Sequence, residues 1–344
     1  FYFFTLLNNT TYLNVLGTYF HYYIIENMKN KILNILINNE NEYVSGESIA
    51  SELNVSRVSI SKNIKTLRND GYVILSRQNK GYMLINENDY LSDQYIKDNA
   101  SPFYKDITVV ESTSSTNDDL KQQAGTLPEG HVLISNNQLG GKGRNGRSFY
   151  CEMNKGVYMS IFLRPEIALD NSLLITACAG VSVVEAIQEV YGIETGIKWV
   201  NDIFYKNKKL SGILCEAGIE LQSMSLEYMV VGIGINVHHI NNSEFMDDIA
   251  SSIEDFTDTY KHRNDLIVSV LNHFYENYKN IESPELIKKY KKHSIVLHKD
   301  ITVYEKGNSY NAYVEDIDHL GRLVIKKEDG TVAAIASNEI SVRL

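Results

Sequence analysis

The apolar residues between Met28 and Ile85 change period once, and that change constrains what this segment can fold into. The stretch "MKNKILNILINNENEYVSGESIASELNVSRVSISKNIKTLRNDGYVILSRQNKGYMLI" carries helical spacing three times and then strand-like alternation twice. Ile32, Leu33, Ile35 and Leu36 give the first helix its apolar face, and Ile49, Ala50 and Leu53 give the second. Asn54 and Val55 form a tight turn, and Ser56 caps a third helix. In that helix Val58, Ile60, Ile64 and Leu67 are expected inside, with Arg57, Ser59, Lys62, Asn63 and Lys65 mostly outside. Asn69 to Gly71 ends it. "GYVILSRQNKGYML" then alternates around a polar tip with Asn79 and Gly81, the pattern of a hairpin.

Three helices followed by a hairpin outline a winged helix-turn-helix, which sets its second turn-forming helix and its wing against DNA. The chain as a whole is acidic, with a net charge of −10, so nucleic acid must be met by a local patch. Between Ser56 and Lys80, six basic residues (Arg57, Lys62, Lys65, Arg68, Arg77 and Lys80) stand against one acid, Asp70. Ser56, Arg57, Ser59, Lys62, Asn63, Lys65, Arg77 and Lys80 are therefore the expected DNA contacts. A helical docking domain with solvated charges is the alternative, and the agreement of helix order, outward face and wing favours DNA.

A length of 344 residues accommodates two or three domains. Residues 1 to 27 are aromatic and apolar but broken by Asn and Thr, with no basic flank, and read as neither a signal peptide nor a membrane span. Met28 is the first methionine and opens the helical pattern, so 1–27 is expected to be a non-native or disordered extension. Cys151, Cys178 and Cys215 fit neither a disulfide framework nor a zinc site, and a reduced, cytoplasmic protein without a membrane partner is expected. The polar stretch from 86 to 102 ends in proline and reads as a linker.

Past the linker, "ITVVESTSSTNDDLKQQA" runs from a strand into a helix capped by Ser115 or a neighbouring hydroxyl, with Asp118 and Asp119 at its positive end. "HVLISNNQ" and "GVYMSIFLRP" read as strands. Between them "QLGGKGRNGRSF", residues 138 to 149, holds four glycines and three cations, Lys142, Arg144 and Arg147. "GKGRNGRS" nearly matches the phosphate-loop pattern G-x-x-x-x-G-K-[ST], but no helix follows to aim its amides at phosphates. What remains is a flexible loop of exposed amides and fixed positive charge, suited to folding over a phosphate or an adenylate.

"GIKWVNDIFYKNKKLSGILCEA" reads as strand, turn, strand: Ile197 to Val200, then a turn at Asn207 to Lys209, then Leu210 to Cys215. Lys198 falls in a strand expected to be largely buried, where an ammonium is costly unless an anion meets it or its stem snorkels to water. "YMVVGIGINVHH" reads as a core strand ending at Asn236, with Gly232 and Gly234 permitting close backbone packing.

In this order "STN" (115–117), "GGKGRNGR" (140–147), "KWVND" (198–202), "KLSGILCE" (209–216) and "GIGIN" (232–236) resemble the motifs of the bifunctional biotin protein ligases, also called biotin operon repressors. The resemblance covers residues 28 to 344. The family usually has proline where this chain has Val200, a turn position that does no chemistry, and often arginine at Lys142 and Asn145. The resemblance implies an α+β protein of three parts: a winged helix at 28–88, a class II synthetase-like mixed sheet with helices at 100–285, and a small SH3-like β-barrel at 293–344.

It also implies a two-step reaction. Biotin is joined to ATP as biotinyl-5′-AMP, with Mg²⁺ bridging the triphosphate, and is then passed to a lysine of an acceptor, the biotin carboxyl carrier protein of acetyl-CoA carboxylase or a related carboxylase. Lys198 and Arg144 would be the catalytic cations. The biotin pocket would comprise Ser115, Thr116, Asn117, Gln138, Lys142, Gly143, Arg144, Lys198, Trp199 and Gly212. Arg144, Arg147, Asn201, Lys209 and Asn236 would meet the nucleotide, and Asp202 the metal. The ureido ring is neutral and polar, so hydroxyls and amides suit it better than charges.

The implied partners are the acceptor protein, operator DNA and a second copy of the chain. One winged helix makes few phosphate contacts, whereas two held in a homodimer gain by effective concentration, so adenylate-dependent dimerisation is the expected switch. Two other classes remain open. A lipoyl ligase shares the fold and the acyl-adenylate chemistry; a non-catalytic ligand-sensing repressor has no need of both Lys198 and the cationic loop.

Overall fold

The computed structural model describes residues 28–39, 42–69, 72, 74–84, 89–220, 225–240, 249–259, 261–305, 308–336 and 340–343. The extension assigned to residues 1–27 lies outside the described residues, as do 70–71 at the expected end of the third helix and 86–88 of the linker. The chain divides into two units between Tyr95 and Ile96.

In the first unit α1 (28–38), α2 (Gly46–Glu52) and α3 (Arg57–Asn69) precede an antiparallel hairpin of β1 (Ile74–Arg77) and β2 (Gly81–Leu84). Helical spacing gathers Ile32, Leu36, Ile49, Ile60, Ile64 and Leu67 into one buried cluster, closed by Ile74 and Leu84 of the hairpin. Ser45 and Ser56 cap α2 and α3 by accepting from the amides of Ser48 and Ser59. Gly81, at φ +107°, passes so near Val44 that a Cβ would meet its carbonyl.

Two third-helix assignments are corrected here. Val58, expected inside, is 78% exposed; Asn63, expected outside and assigned to DNA, is 8% exposed and donates its side-chain amide to the Ser59 carbonyl. Asn63 lies on the buried Ile60–Ile64–Leu67 stripe, while Val58 stands about 200° round the helix from Ile60. A buried Asn bonded back to its own helix cannot read a base.

The helix α4 (Asp93–Asn99) carries the chain into the second unit. There β3 (Ile107–Val110), β4 (Val132–Ser135), β5 (Gly156–Leu163), β6 (Gly196–Lys198), β7 (Asp202–Tyr205), β8 (Lys208–Glu220) and β9 (Ser225–Asn236) form one mixed sheet in the order β3-β4-β5-β9-β8-β7-β6. Only β3 and β4 run parallel. The stretch read as strand, turn, strand contains three strands, because β6 stops at Lys198 and Trp199, Val200 and Asn201 turn back. The polar turn sits at Lys206 and Asn207, both at positive φ, and Lys208 and Lys209 already belong to β8.

Strand alternation sorts the two faces of this sheet. Ile197 points toward Gly180 of α6 (Leu173–Tyr191), where it would lie in ordinary van der Waals contact with an added Cβ, and Lys198 therefore points to the opposite face. The helix α5 (Thr116–Gln122) lies on that opposite face, with Asn117 across Gly232. By length and composition α6 is apolar enough to cross a membrane, but most of it is buried inside this unit, as the core helix of the sheet.

α7 (Arg263–Tyr278) and α8 (Pro284–His293) are pinned to α6 by charge. His273 lies 3.4 Å from Glu185 and 3.0 Å from Glu189, and Lys289 lies 2.8 Å from Glu185. Burial disfavours the Glu185 carboxylate, but bonds from His273, Lys289 and Asn277 outweigh it and hold its pKa down at about 2. The hydrogen bond to Glu185, against burial and with help from Glu189, raises His273 above its ordinary value. A raised folded value means that this contribution is complete below about pH 6.5 and is lost as pH climbs through the raised value. Urea unfolding across that window should show the parent losing stability relative to His273→Asn as pH rises; a pH-independent difference would refute the assignment.

The remaining strands, β10 (Asp300–Glu305), β11 (Asn308–Ile317), β12 (Leu323–Lys327), β13 (Val332–Ile335) and β14 (Ile340–Arg343), pair antiparallel in the order β13-β12-β11-β10-β14. This five-stranded sheet stands where a small barrel is expected. Lys291 of α8 pairs with Asp316 of β11 at 2.6 Å, and the Ile295 amide donates to the Ile197 carbonyl at 2.9 Å.

Candidate active site

On the α5 side of the sheet lies a cavity of about 1210 Å³. Its floor is backbone. Gly212 of β8 and Gly234 of β9 are register partners, and the Phe149 ring rests on both, so closely that a Cβ at Gly234 would collide with it. Gly232 takes the Asn117 side chain in the same way. The glycines of "GIGIN" thus serve close packing, with the objects packed being two side chains of the site.

One wall is polar and neutral. Ser115 caps α5, and the Gln138 side-chain oxygen Oε1 accepts from the Thr116 amide at 2.8 Å and from its hydroxyl at 3.1 Å. Asn117 donates to Glu216 at 2.8 Å, and Ser160 Oγ lies 2.6 Å from both Thr116 Oγ1 and Asn117 Oδ1. Ser115, Thr116, Asn117 and Ser160 are all buried; the last three are locked by bonds through Ser160 Oγ, and Ser115 by its bond from the Asp118 amide.

The other wall is cationic. Among the described residues, Lys142, Arg144, Arg147, Lys198 and Lys209 line the cavity against one carboxylate, Asp202. Lys198 is half-buried, with its ammonium 5.3 Å from the centre of the Phe204 ring. Arg144 reaches down from the glycine-rich loop to Asn201 Oδ1 at 3.2 Å; burial lowers its guanidinium pKa, Asp202 opposes that, and it stays charged. Lys142 is paired with Asp118, and this bond above all, opposed by burial and aided by Lys121, holds the Asp118 carboxyl below its usual value. Arg147 is exposed at the rim, and Lys209 pairs with Asp202 at 2.7 Å.

The turn at Trp199–Asn201 is braced from behind. Trp199 Nε1 donates to the Gly321 carbonyl of the C-terminal sheet at 3.0 Å, Tyr290 donates to the Val200 carbonyl at 2.9 Å, and Asn201 exchanges bonds with Ile213. The cavity thus brings together every residue singled out in the sequence for biotin, nucleotide and metal: Ser115, Thr116, Asn117, Gln138, Lys142, Gly143, Arg144, Arg147, Lys198, Trp199, Asn201, Asp202, Lys209, Gly212 and Asn236.

Sequence reasoning misses Phe149, Ser160 and Arg263. Arg263 is fully buried and donates to Asn136 Oδ1 at 3.1 Å and to the Gly156 carbonyl at 2.9 Å, tying together the two stems of the glycine-rich loop. No local pattern marks it; its partners lie more than a hundred residues away in sequence. Phe149 does stand inside the glycine-rich stretch, where an aromatic among glycines is a readable signal.

In the first unit Arg57, Lys62, Lys65, Arg77 and Lys80 are exposed, with Ser56 exposed and Ser59 half-buried. Arg57 pairs with Glu47 at 3.2 Å. Arg68, also exposed, donates to the Ile74 carbonyl and to Ser76 of β1.

Residues 29–83 match an HTH domain model, and residues 109–236 match that of the biotin/lipoate A/B protein ligase family. Fold and cavity together define a protein ligase of the biotin/lipoate class that carries its own helix-turn-helix. The bifunctional ligase/repressor BirA of Bacillus subtilis is 33% identical over 249 residues, which span 70% of this chain and 75% of the relative. The biotin--[acetyl-CoA-carboxylase] ligase of Mycobacterium tuberculosis is 28% identical over 74% of this chain and 94% of its own. The structure of the Aquifex aeolicus biotin protein ligase in complex with biotin and ATP superposes with a TM-score of 0.61 at 28% identity, covering 70% of this chain and 99% of that one. The chain belongs to the bifunctional biotin ligase/repressor family.

Proposed function

We infer that this protein activates biotin with ATP, transfers the biotinyl group to a lysine of an acceptor protein, and represses transcription through its winged helix. The observation that carries the reading is the division of one cavity into a neutral polar wall and a cationic wall over a glycine floor. A neutral ureido ring suits the hydroxyl and amide groups of Ser115, Thr116, Asn117 and Gln138; a carboxylate and a phosphate suit the cations.

In the first step the biotin carboxylate oxygen attacks the α-phosphorus of ATP, and pyrophosphate leaves. Two anions must approach one another, and Lys198 offsets both charges while Arg144 and Lys142 close over the adenylate. Lys142 gives up Asp118 to do so. Arg147, Asn201, Lys209 and Asn236 hold the nucleotide. In the second step the acceptor lysine nitrogen attacks the acyl carbon and AMP leaves, so no side-chain nucleophile is required.

Asp202 and Asn236 would hold Mg²⁺. Asp202 supplies a carboxylate, and Asn236 Oδ1 is a buried oxygen with no hydrogen-bond partner among the described residues, the hard donors that this ion takes beside phosphates. When bound it would neutralise charge on the departing pyrophosphate.

We assign DNA binding to residues 28–88, catalysis to 100–285, and closure of the site and acceptor docking to 293–344, in the cytoplasm. Ser56, Arg57, Ser59, Lys62, Lys65, Arg77 and Lys80 supply the DNA face. Adenylate in the loop stabilises a homodimer, which reaches two half-sites together, and operator DNA tightens adenylate binding in return.

Biotin-dependent exchange of pyrophosphate into ATP tests the chemistry, and lipoate in place of biotin separates the lipoyl reading: exchange is expected with biotin alone. Label transfer to a carrier protein separates the non-catalytic repressor. Sedimentation and operator binding with and without biotin and ATP test the switch, and equal dimer fraction and equal DNA affinity in both conditions would eliminate it.

A further inference from the structure

Among the described residues of the first unit, Val58 is the most exposed large apolar side chain, and neither the fold nor the charge of the unit accounts for it. Val58 is 78% exposed, in the first turn of α3. It sits about 200° from the buried Ile60 and touches none of the core that Ile60, Ile64 and Leu67 make. A β-branched residue is a weaker helix former than alanine, so this position lowers helix stability slightly and gains nothing from burial. Its neighbours on the same face are Ser61, Lys62 and Lys65, all exposed, at the spacing of one helical stripe. An apolar group therefore leads a stripe of hydroxyl and ammonium groups.

That stripe belongs to the helix that enters the major groove, whose N-terminal residues meet base edges. In that groove the thymine C5-methyl is the apolar group on offer, and small apolar side chains read it. Lys62 and Lys65, farther along, are placed for phosphates or guanine edges. Resting on the reading of this unit as a DNA-binding module, we propose that Val58 is a specificity-determining residue that packs on a thymine methyl in each operator half-site.

The test uses the full chain with biotin and ATP. A randomised duplex pool is enriched by binding to the parent and to Val58→Ala, and each thymine of the parent's preferred sequence is then replaced by deoxyuridine, which lacks only the methyl. For the parent, one thymine per half-site should lose about fourfold in affinity on replacement, and about sixteenfold when both half-sites are changed, the effect of one or two methyl groups leaving apolar contact. Val58→Ala should bind thymine and uracil alike at that position and lose preference there. Its urea midpoint should equal or exceed the parent's, and its salt dependence should be unchanged, since Val58 meets no phosphate. An unchanged uracil penalty in Val58→Ala, or no penalty in the parent, overturns the inference while leaving DNA binding intact. If the parent enriches no sequence at all, both the inference and the DNA-binding reading fall.

Discussion

Lys198→Gln should keep its fold and slow biotinyl-adenylate formation roughly 100- to 1000-fold, the effect of removing one preorganised donor, or about 3 to 4 kcal/mol in the transition state. The side chain leaves the end of β6 on the cavity face, half-buried, with the Phe204 ring 5.3 Å from its ammonium. A ring beneath the charge excludes water from one side, which strengthens whatever field the ammonium exerts on two anions brought together in front of it. Glutamine keeps a polar, hydrogen-bonding end on a side chain one atom shorter, and removes the charge. Single-turnover formation of adenylate from labelled ATP reads the effect, with the thermal midpoint as the control for folding. A rate near the parent's would sink the role given to Lys198.

Arg144→Gly should release biotinyl-adenylate about 10- to 100-fold faster, because a charge-assisted bond is worth roughly 1.5 to 3 kcal/mol. Arg144 reaches from the loop to Asn201 Oδ1, so it spans the gap that the loop must close. Its guanidinium is largely shielded from water, and burial is the main influence on its pKa, a setting in which loss of the charge is felt strongly. The first turnover should suffer less than retention, since Lys198 remains. The leaked mixed anhydride would acylate lysines on bystander proteins. Dissociation of preformed adenylate, followed after dilution into excess unlabelled biotin and ATP, is the measurement, and an unchanged off-rate rules out the closing role of the loop.

The helices of the first unit are legible because their burial is local: the Ile60–Ile64–Leu67 stripe and the cap at Ser56 depend on neighbours within one or two turns. The same unit shows where period alone misleads. Asn63 is polar and takes an inward position because its amide can bond back to the Ser59 carbonyl four residues earlier, an option open to a short amide side chain. In the second unit the motifs are legible as motifs, and every residue named from the sequence for biotin, nucleotide or metal lines one cavity. What is not legible is the support. The split of one apparent strand into β6 and β7 follows from the turn at Trp199–Asn201, which is held by Tyr290, Ile213 and Gly321, partners brought in from 90, 12 and 122 residues away. Ser160 and Arg263 are likewise defined only by what the sheet places beside them.

The bond from Trp199 to Gly321 has a consequence for anyone who would rebuild this protein. The C-terminal sheet cannot be treated as a detachable cargo-recognition tag, because one of its turns, where Gly321 sits at φ +79°, supplies the acceptor for an indole buried beside the reacting groups. A chimera carrying another C-terminal sheet, chosen to redirect labelling toward a new target, would have to reproduce that backbone carbonyl at that spot. Turnover in such chimeras should therefore track the geometry of the graft at the β11–β12 turn, independently of how well the new sheet grips its target.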